Sequence, residues 1–252
     1  MPLIRRRFHV FVWALALSAV ALVQPTSAAS AAGPSLWRKL ALAAPTANPQ
    51  VLRLAVAAMR CAVGSGMPSA QRLAVIDYSL PSTRRRLWIF ELDGPRLLMR
   101  ELVAHGRNSG GNFAKHFSDR QGSLESSLGL YRTLHTYQGD NGYSLRLQGL
   151  DDGFNNNALQ RAIVIHGASY VSTAFAQREG RIGRSWGCPA VSKRVVQRVI
   201  NALKGGQFVF AYYPDPRWLS DSDLLHCTTT QRSVTATDAT PRTAGVGAKA
   251  IL

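Results

Sequence analysis

Continuous and alternating apolar runs divide the middle of the chain into strands. Leu73 to Tyr78, Leu87 to Leu92 and Leu97 to Val103 are rich in aliphatic, β-branched and aromatic residues. Pro81-Ser82 and Asp93-Gly94-Pro95 separate them, so the three predict an antiparallel meander. His105 to Gly129 is rich in Gly, Ser and Asn and reads as a long loop. Strand character resumes at Leu130 to Leu134, at Tyr143 to Leu147, and in the β-branched run Ala162 to His166. Gln207 to Tyr213 predicts one last strand. Helical spacing is scarcer. Leu52, Val56 and Met59 lie on one face of a helix that Pro49 can start and Gly64 can end. Val195, Val196, Val199, Ile200 and Leu203 line another, with Ser192 as its expected cap and Gly205-Gly206 as its stop. The fold class is mainly β with a few helices.

The ends differ from this middle. Arg5, Arg6 and Arg7 precede an apolar run from Phe8 to Val23, and small residues from Ser27 to Ala31 follow. That is the three-part layout of a secretory signal peptide, placed at 1–29. The run has sixteen residues, short against the ~20 that span a bilayer, so no integral span is expected once the signal is removed. Residues 30–48 read as a linker with one short helix around Leu36 and Leu40, and 49–215 as the main domain. Residues 216–252 read as a C-terminal extension, mostly disordered, Thr/Ala/Gly-rich from about Thr228.

Export changes how the charge is read. The formal net charge is +16, and the chain without the three leader arginines carries 27 basic against 14 acidic residues, or +13. Outside the cytoplasm, in the periplasm or cell envelope, the available polyanions are headgroups and wall polymers. These anionic envelope polymers are candidate partners, and basic residues solvated all around the surface are the alternative. No aromatic-basic stacking motif or zinc-ligand spacing points to nucleic acid or metal. Three cysteines, Cys61, Cys188 and Cys227, leave one without a partner if two pair in an oxidising compartment. Spacing alone does not choose the pair.

Reactive groups concentrate between Arg161 and Val191: His166-Gly167, then Gly183-Arg184-Ser185-Trp186-Gly187-Cys188-Pro189. A nucleophilic thiol needs a base, donors for the developing oxyanion, and access. His166 at a strand end supplies the candidate base. The N–H groups of Gly187 and Cys188 supply candidate oxyanion donors. A helix starting just after Cys188 would lower the thiol pKa. A buried structural cysteine in a tight turn is the plain alternative.

Gly183-Arg-Ser-Trp-Gly-Cys-Pro-Ala190, with His166-Gly-Ala-Ser-Tyr170 before it, resembles the murein L,D-transpeptidase catalytic-domain family, a divergent branch of the YkuD-like fold. Ile76 to Ser82, Val103 to Gly106, Ser126 to Gly129 and Gly153 to Asn155 extend the likeness over about residues 50 to 215. The resemblance implies a YkuD-like β-sandwich or barrel and a cysteine acyl transfer on peptidoglycan stem peptides, without metal or organic cofactor. Cys188 would be the nucleophile and His166 its base, with the amides around Gly187 holding the oxyanion. A second stem's amine would resolve the thioester as a 3→3 cross-link. Water in place of the amine would make an L,D-carboxypeptidase or endopeptidase. An inactive wall-binding module is the reading from a different class.

Two positions depart from the common family motif: Trp186 stands where a His is usual, and Ala190 where an Arg is usual. Arg184 is a candidate for the missing charge. Ser185 is a candidate to orient His166, to bind substrate, or to cap the turn. His105 in Ala-His-Gly, Asn155, Tyr170 and Trp186 are candidate substrate contacts, each with a structural alternative, as is Arg161. Cys61 and Cys227 lie outside the catalytic segment and are the expected bridge.

Overall fold

The computed structural model describes residues 35–227. The expected signal, the expected tail beyond Thr228 and the first residues of the expected linker therefore lie outside the described residues. Helices α1 (Leu36–Ala43) and α2 (Pro49–Gly64) lead into the meander β1 (Arg72–Asp77), β2 (Leu87–Glu91) and β3 (Arg96–Glu101). Then come β4 (Gly129–Gly139), β5 (Gly142–Gly149), β6 (Val164–Ala168), α3 (Thr173–Glu179), β7 (Ala190–Ser192), α4 (Val196–Leu203), β8 (Phe208–Tyr212) and α5 (Pro216–Asp221). Among the described residues no helix is long and apolar enough to cross a membrane.

All eight strands share one sheet in the order β3-β2-β1-β8-β4-β5-β6-β7. The expected meander is present, with Ile76 opposite Leu87 and Leu87 opposite Glu101 in antiparallel register. β8 enters between β1 and β4, parallel to the first and antiparallel to the second. Its five residues are all buried, as are the last five of β1, which fits central strands covered on both faces. The two edges of the sheet then meet. Val103, just past β3, bridges Val191 of β7, and the Ala104 N–H donates to the Ala190 carbonyl at 2.8 Å. The sheet is thus a nearly closed, barrel-like layer whose seam lies two residues beyond Cys188. Closure removes part of the unpaired edge that an open sheet would expose.

The helix around α2 forms as its periodicity predicts. Asn48 caps it, accepting from the Gln50 N–H at 2.9 Å, and Pro49 occupies the first turn where no donor is needed. Its face of Val51, Leu52, Ala55, Val56, Met59 and Ala62 packs into the core with Leu73, Phe90, Leu130, Phe208 and Phe210. Leu40 of α1, inside the expected linker, is fully buried in the same core.

The ordered fold also runs past residue 215. Asp215 caps α5 by accepting from the Trp218 N–H, and Trp218 is fully buried. Its indole N–H donates to Asp151 Oδ2 at 2.9 Å, where Ser222 Oγ donates as well. Burying one such aromatic contributes roughly 2–3 kcal/mol. Cys227 is bonded to Cys61 of α2, 166 residues earlier. One helix start differs from expectation: Ser192 ends β7 and the helix begins at Val196.

Candidate active site

His166 lies in β6, opposite Ala190 of the parallel strand β7. It is buried, and its Nδ1 faces the Gly167 carbonyl at 3.2 Å. A carbonyl only accepts, so Nδ1 carries the proton and Nε2 keeps a lone pair free to act as a base. Cys188 precedes Ala190 by two residues, an offset of ~7 Å along the strands. The thiol donates to the Ala162 carbonyl at 3.9 Å. Among the described residues no hydrogen bond joins the sulfur to the imidazole. In this resting arrangement the thiol lies on the Ala162 carbonyl and not on its candidate base. Apo sites commonly show such loose pairs.

Burial pushes the Cys188 thiol above its ordinary value, although part of the residue remains exposed. The Val164 N–H, the Arg161 charge and the cysteine's own N–H act the other way and are outweighed. Burial also pulls His166 below its ordinary value, against the opposing effect of the Gly167 carbonyl. Both shifts favour the neutral thiol and the neutral imidazole. The helix expected to acidify the thiol is absent from that position, because β7 and not a helix follows Cys188.

The Ser185-to-Cys188 turn explains its own sequence. Ser185 Oγ donates to the Cys188 carbonyl at 2.6 Å and accepts from the Gly187 N–H at 3.2 Å. Of the roles open to Ser185, the structure gives it the turn and not the imidazole. The Gly187 N–H is thereby spent, which corrects its expected place in the oxyanion hole. The Cys188 N–H donates to no oxygen among the described residues and faces only its own sulfur. Gly187 has φ +121, and a Cβ there would come within 2.7 Å of the Glu125 carbonyl oxygen, so only glycine fits without strain.

Two other expected contacts are corrected outright. His105 is fully buried: Arg86 Nη2 donates to its Nδ1 at 2.7 Å, and its Nε2 faces the Gly110 carbonyl at 3.4 Å. Burial first, and the Arg86 charge second, hold its pKa down to about 4. Asn155 is also fully buried, accepting from the Asp151 N–H and donating to the Leu130 carbonyl. Both serve the scaffold. Arg184 braces the neighbouring loop, its Nη1 donating to the carbonyls of Arg107 and Gly110 at 3.0 Å each.

Tyr170 and Trp186 lie close to Cys188 in the structure and in the chain respectively. Tyr170 is half-buried, and its phenol is pushed up to about 12 by burial and then by the Cys188 charge. Trp186 is 73% exposed beside the turn. A recess of about 630 Å³ lined by Tyr143, Gly167, Ser169, Tyr170 and Lys193 includes neither His166 nor Cys188 in its wall. A second recess, about 740 Å³ between Phe117, Phe154 and Asp215, also contains neither residue, so cavity volume does not mark the candidate site. Tyr78 was not singled out from sequence. Its buried phenol faces Ser126 and Cys188, and no pattern around it announces that.

The family model of the L,D-transpeptidase catalytic domain matches residues 43–212. No curated protein matches the chain. Among solved structures, an L,D-transpeptidase from Mycobacterium smegmatis is 12% identical with a TM-score of 0.37, covering 57% of this chain and 60% of its own. An L,D-transpeptidase from Xylanimonas cellulosilytica is 14% identical at TM-score 0.32, with 61% and 68% covered. One from Stackebrandtia nassauensis is 12% identical at TM-score 0.33, with 71% and 77% covered. The chain spans about three fifths of the length of the first of these. The matched segment takes in the barrel, His166 and Cys188, and on that match the chain belongs to the L,D-transpeptidase catalytic domain family.

Proposed function

We propose that the protein is a peptidoglycan L,D-transpeptidase of the cell envelope that works through a thioester on Cys188. The observation that carries this reading is the pairing of β6 with β7. It sets a base with a free Nε2 beside the strand that begins two residues after the unpaired cysteine, inside a segment matched by the family model. His166 Nε2 takes the thiol proton as sulfur adds to the carbonyl of the L-centre preceding a terminal D-Ala. The Cys188 N–H meets the oxyanion. Collapse breaks the C–N bond, and the imidazolium returns its proton to the departing D-Ala amine. The side-chain amine of a second stem then attacks the thioester, losing its proton to His166, and a 3→3 link forms as the thiol is released. Proton transfer between two neutral groups fits the environment of the site.

Tyr170 and Trp186 border the donor stem in this reading. The test is mass analysis of tetrapeptide muropeptides incubated with the wild type and with Cys188→Ala. Loss of D-Ala with new dimers, absent in the variant, supports the transpeptidase. Loss of D-Ala with monomers only moves the activity to an L,D-carboxypeptidase. No change with either protein refutes an enzyme for this donor and leaves the wall-binding reading.

A further inference from the structure

Behind the Gly187-Cys188 turn lies a buried guanidinium that the chemistry above does not use. The Arg161 side chain is 3% exposed. Its Nη1 donates to the Ser118 carbonyl at 2.7 Å and to Ser127 Oγ at 2.5 Å. Its Nη2 donates to Ser123 Oγ at 3.1 Å and to the Glu125 carbonyl at 2.7 Å. All four acceptors belong to the 118–127 loop, and that loop forms the back wall of the turn. Ser126 Oγ donates to the Gly187 carbonyl at 3.0 Å. A Cβ on Gly187 would lie 3.3 Å from Arg161 Nη2, so nothing separates the charge from the turn.

The backbone around the same residue is strained. Among the described residues only Leu124 and Ala162 have positive φ without being glycine, at 59° and 55°. Leu124 sits inside the loop that Arg161 grips. Ala162 follows Arg161 directly, and its carbonyl is the one that receives the Cys188 thiol. Strain of this kind persists only where the surroundings over-determine it. The carboxylate facing the guanidinium is Asp119, with Oδ1 at 3.6 Å and Oδ2 accepting from the Asn157 N–H. The remaining partners are neutral, so a buried positive charge stands beside the sulfur.

We propose that Arg161 is a positioning residue for Cys188: it clamps the 118–127 loop against the turn, aims the Ala162 carbonyl at the thiol, and favours the thiolate by its charge. The titratable side chains that feel the sulfur are Tyr170, Tyr78 just past β1, and Arg161 itself, and His166 lies on the neighbouring strand β6. Both tyrosines are pushed up to about 12 and stay neutral in the range of the assay. The inference rests on Cys188 being the nucleophile, but its test reads the thiol itself and so remains decidable if transpeptidation is not found.

The experiment is the pH midpoint of iodoacetamide alkylation of the full oxidised chain, in which Cys188 is the free cysteine. Arg161→Gln is expected to raise the midpoint by about one unit, a tenfold slower reaction at fixed pH below it. Arg161→Lys keeps the charge without the fork and stays within about threefold of the wild type. Asp119→Asn removes the compensating charge and lowers the midpoint. A midpoint unmoved in folded Arg161→Gln overturns the proposal. So does a Lys variant as impaired as the Gln variant, or an Asp119→Asn midpoint that is unchanged or raised. If Arg161→Gln does not fold, the Lys and Asn variants decide.

Discussion

At neutral pH the Cys188 thiol is predicted to be un-ionised at rest, and this sets how the protein should react. Burial dominates its ionisation and lifts it above the ordinary 9.0. Each pH unit below a pKa is a factor of ten in the ionised fraction, so the thiolate is less than about 1% of the enzyme at pH 7. Burial also holds His166 below 6.5, which makes a preformed thiolate–imidazolium pair the minor state. The perturbation is pH itself, applied to the wild type and to His166→Ala, with iodoacetamide alkylation followed by intact mass. The logarithm of the rate should climb with unit slope from pH 7 to 9 in both proteins. Acyl transfer should behave differently, because there the imidazole takes the proton. In the wild type, kcat/KM should fall only as pH drops through the lowered His166 pKa, and His166→Ala should lose it at every pH. A rate of alkylation already level at pH 7, and lost with His166, would refute the neutral pair.

Three further outcomes follow from particular contacts. Cys227→Ser opens a bridge between residues 166 apart, and urea unfolding should show a loss of about 2–5 kcal/mol; unchanged stability would mean the bridge holds nothing. Gly187→Ala places a Cβ 2.7 Å from the Glu125 carbonyl at φ +121. The turn should shift, acyl transfer should drop at least about tenfold, and the local cost should be ~1–3 kcal/mol; full activity would show the turn to be loose. His105 takes a proton at about 4 in the fold against 6.5 in the unfolded chain. The unfolded state thus binds the extra proton first, and stability falls as pH drops between those values, by up to about 3 kcal/mol. His105→Gln should remove that part of the acid sensitivity. Buried Asp77, Asp119 and Asp151 are shifted upward and act in the opposite sense, so the difference between the two proteins is the quantity to compare.

The meander and α2 were legible because their signals are local. Leu73 to Ile76 is a continuous apolar run, and Pro49 and Gly64 frame a helical stripe. What was not legible depends on distant pairing. β7 has three residues, too few for any period, and it exists because Ala190 and Val191 find β6 on one side and Val103 on the other. α3 has no buried residue and so no stripe to read. Trp218 is a lone aromatic in a polar segment, and its burial depends on Asp151 far away in sequence. At the candidate site, reactive residue types marked the segment, and the resemblance to the family motif singled out His166 and Cys188 within it. His105 and Asn155 were misread for one reason: a polar residue in a Gly-rich stretch looks solvated, whereas these two satisfy buried backbone groups. Ser185 and Gly187 were placed in the right turn with the wrong hydrogen bonds, which no spacing specifies.

The most direct test of the account is the intact mass of the protein mixed with a stem tetrapeptide and quenched in acid. The account predicts an adduct equal to the tetrapeptide less D-Ala, mapped to Cys188 and absent in Cys188→Ala. An adduct carried by another residue, or turnover of the peptide by Cys188→Ala, would contradict it.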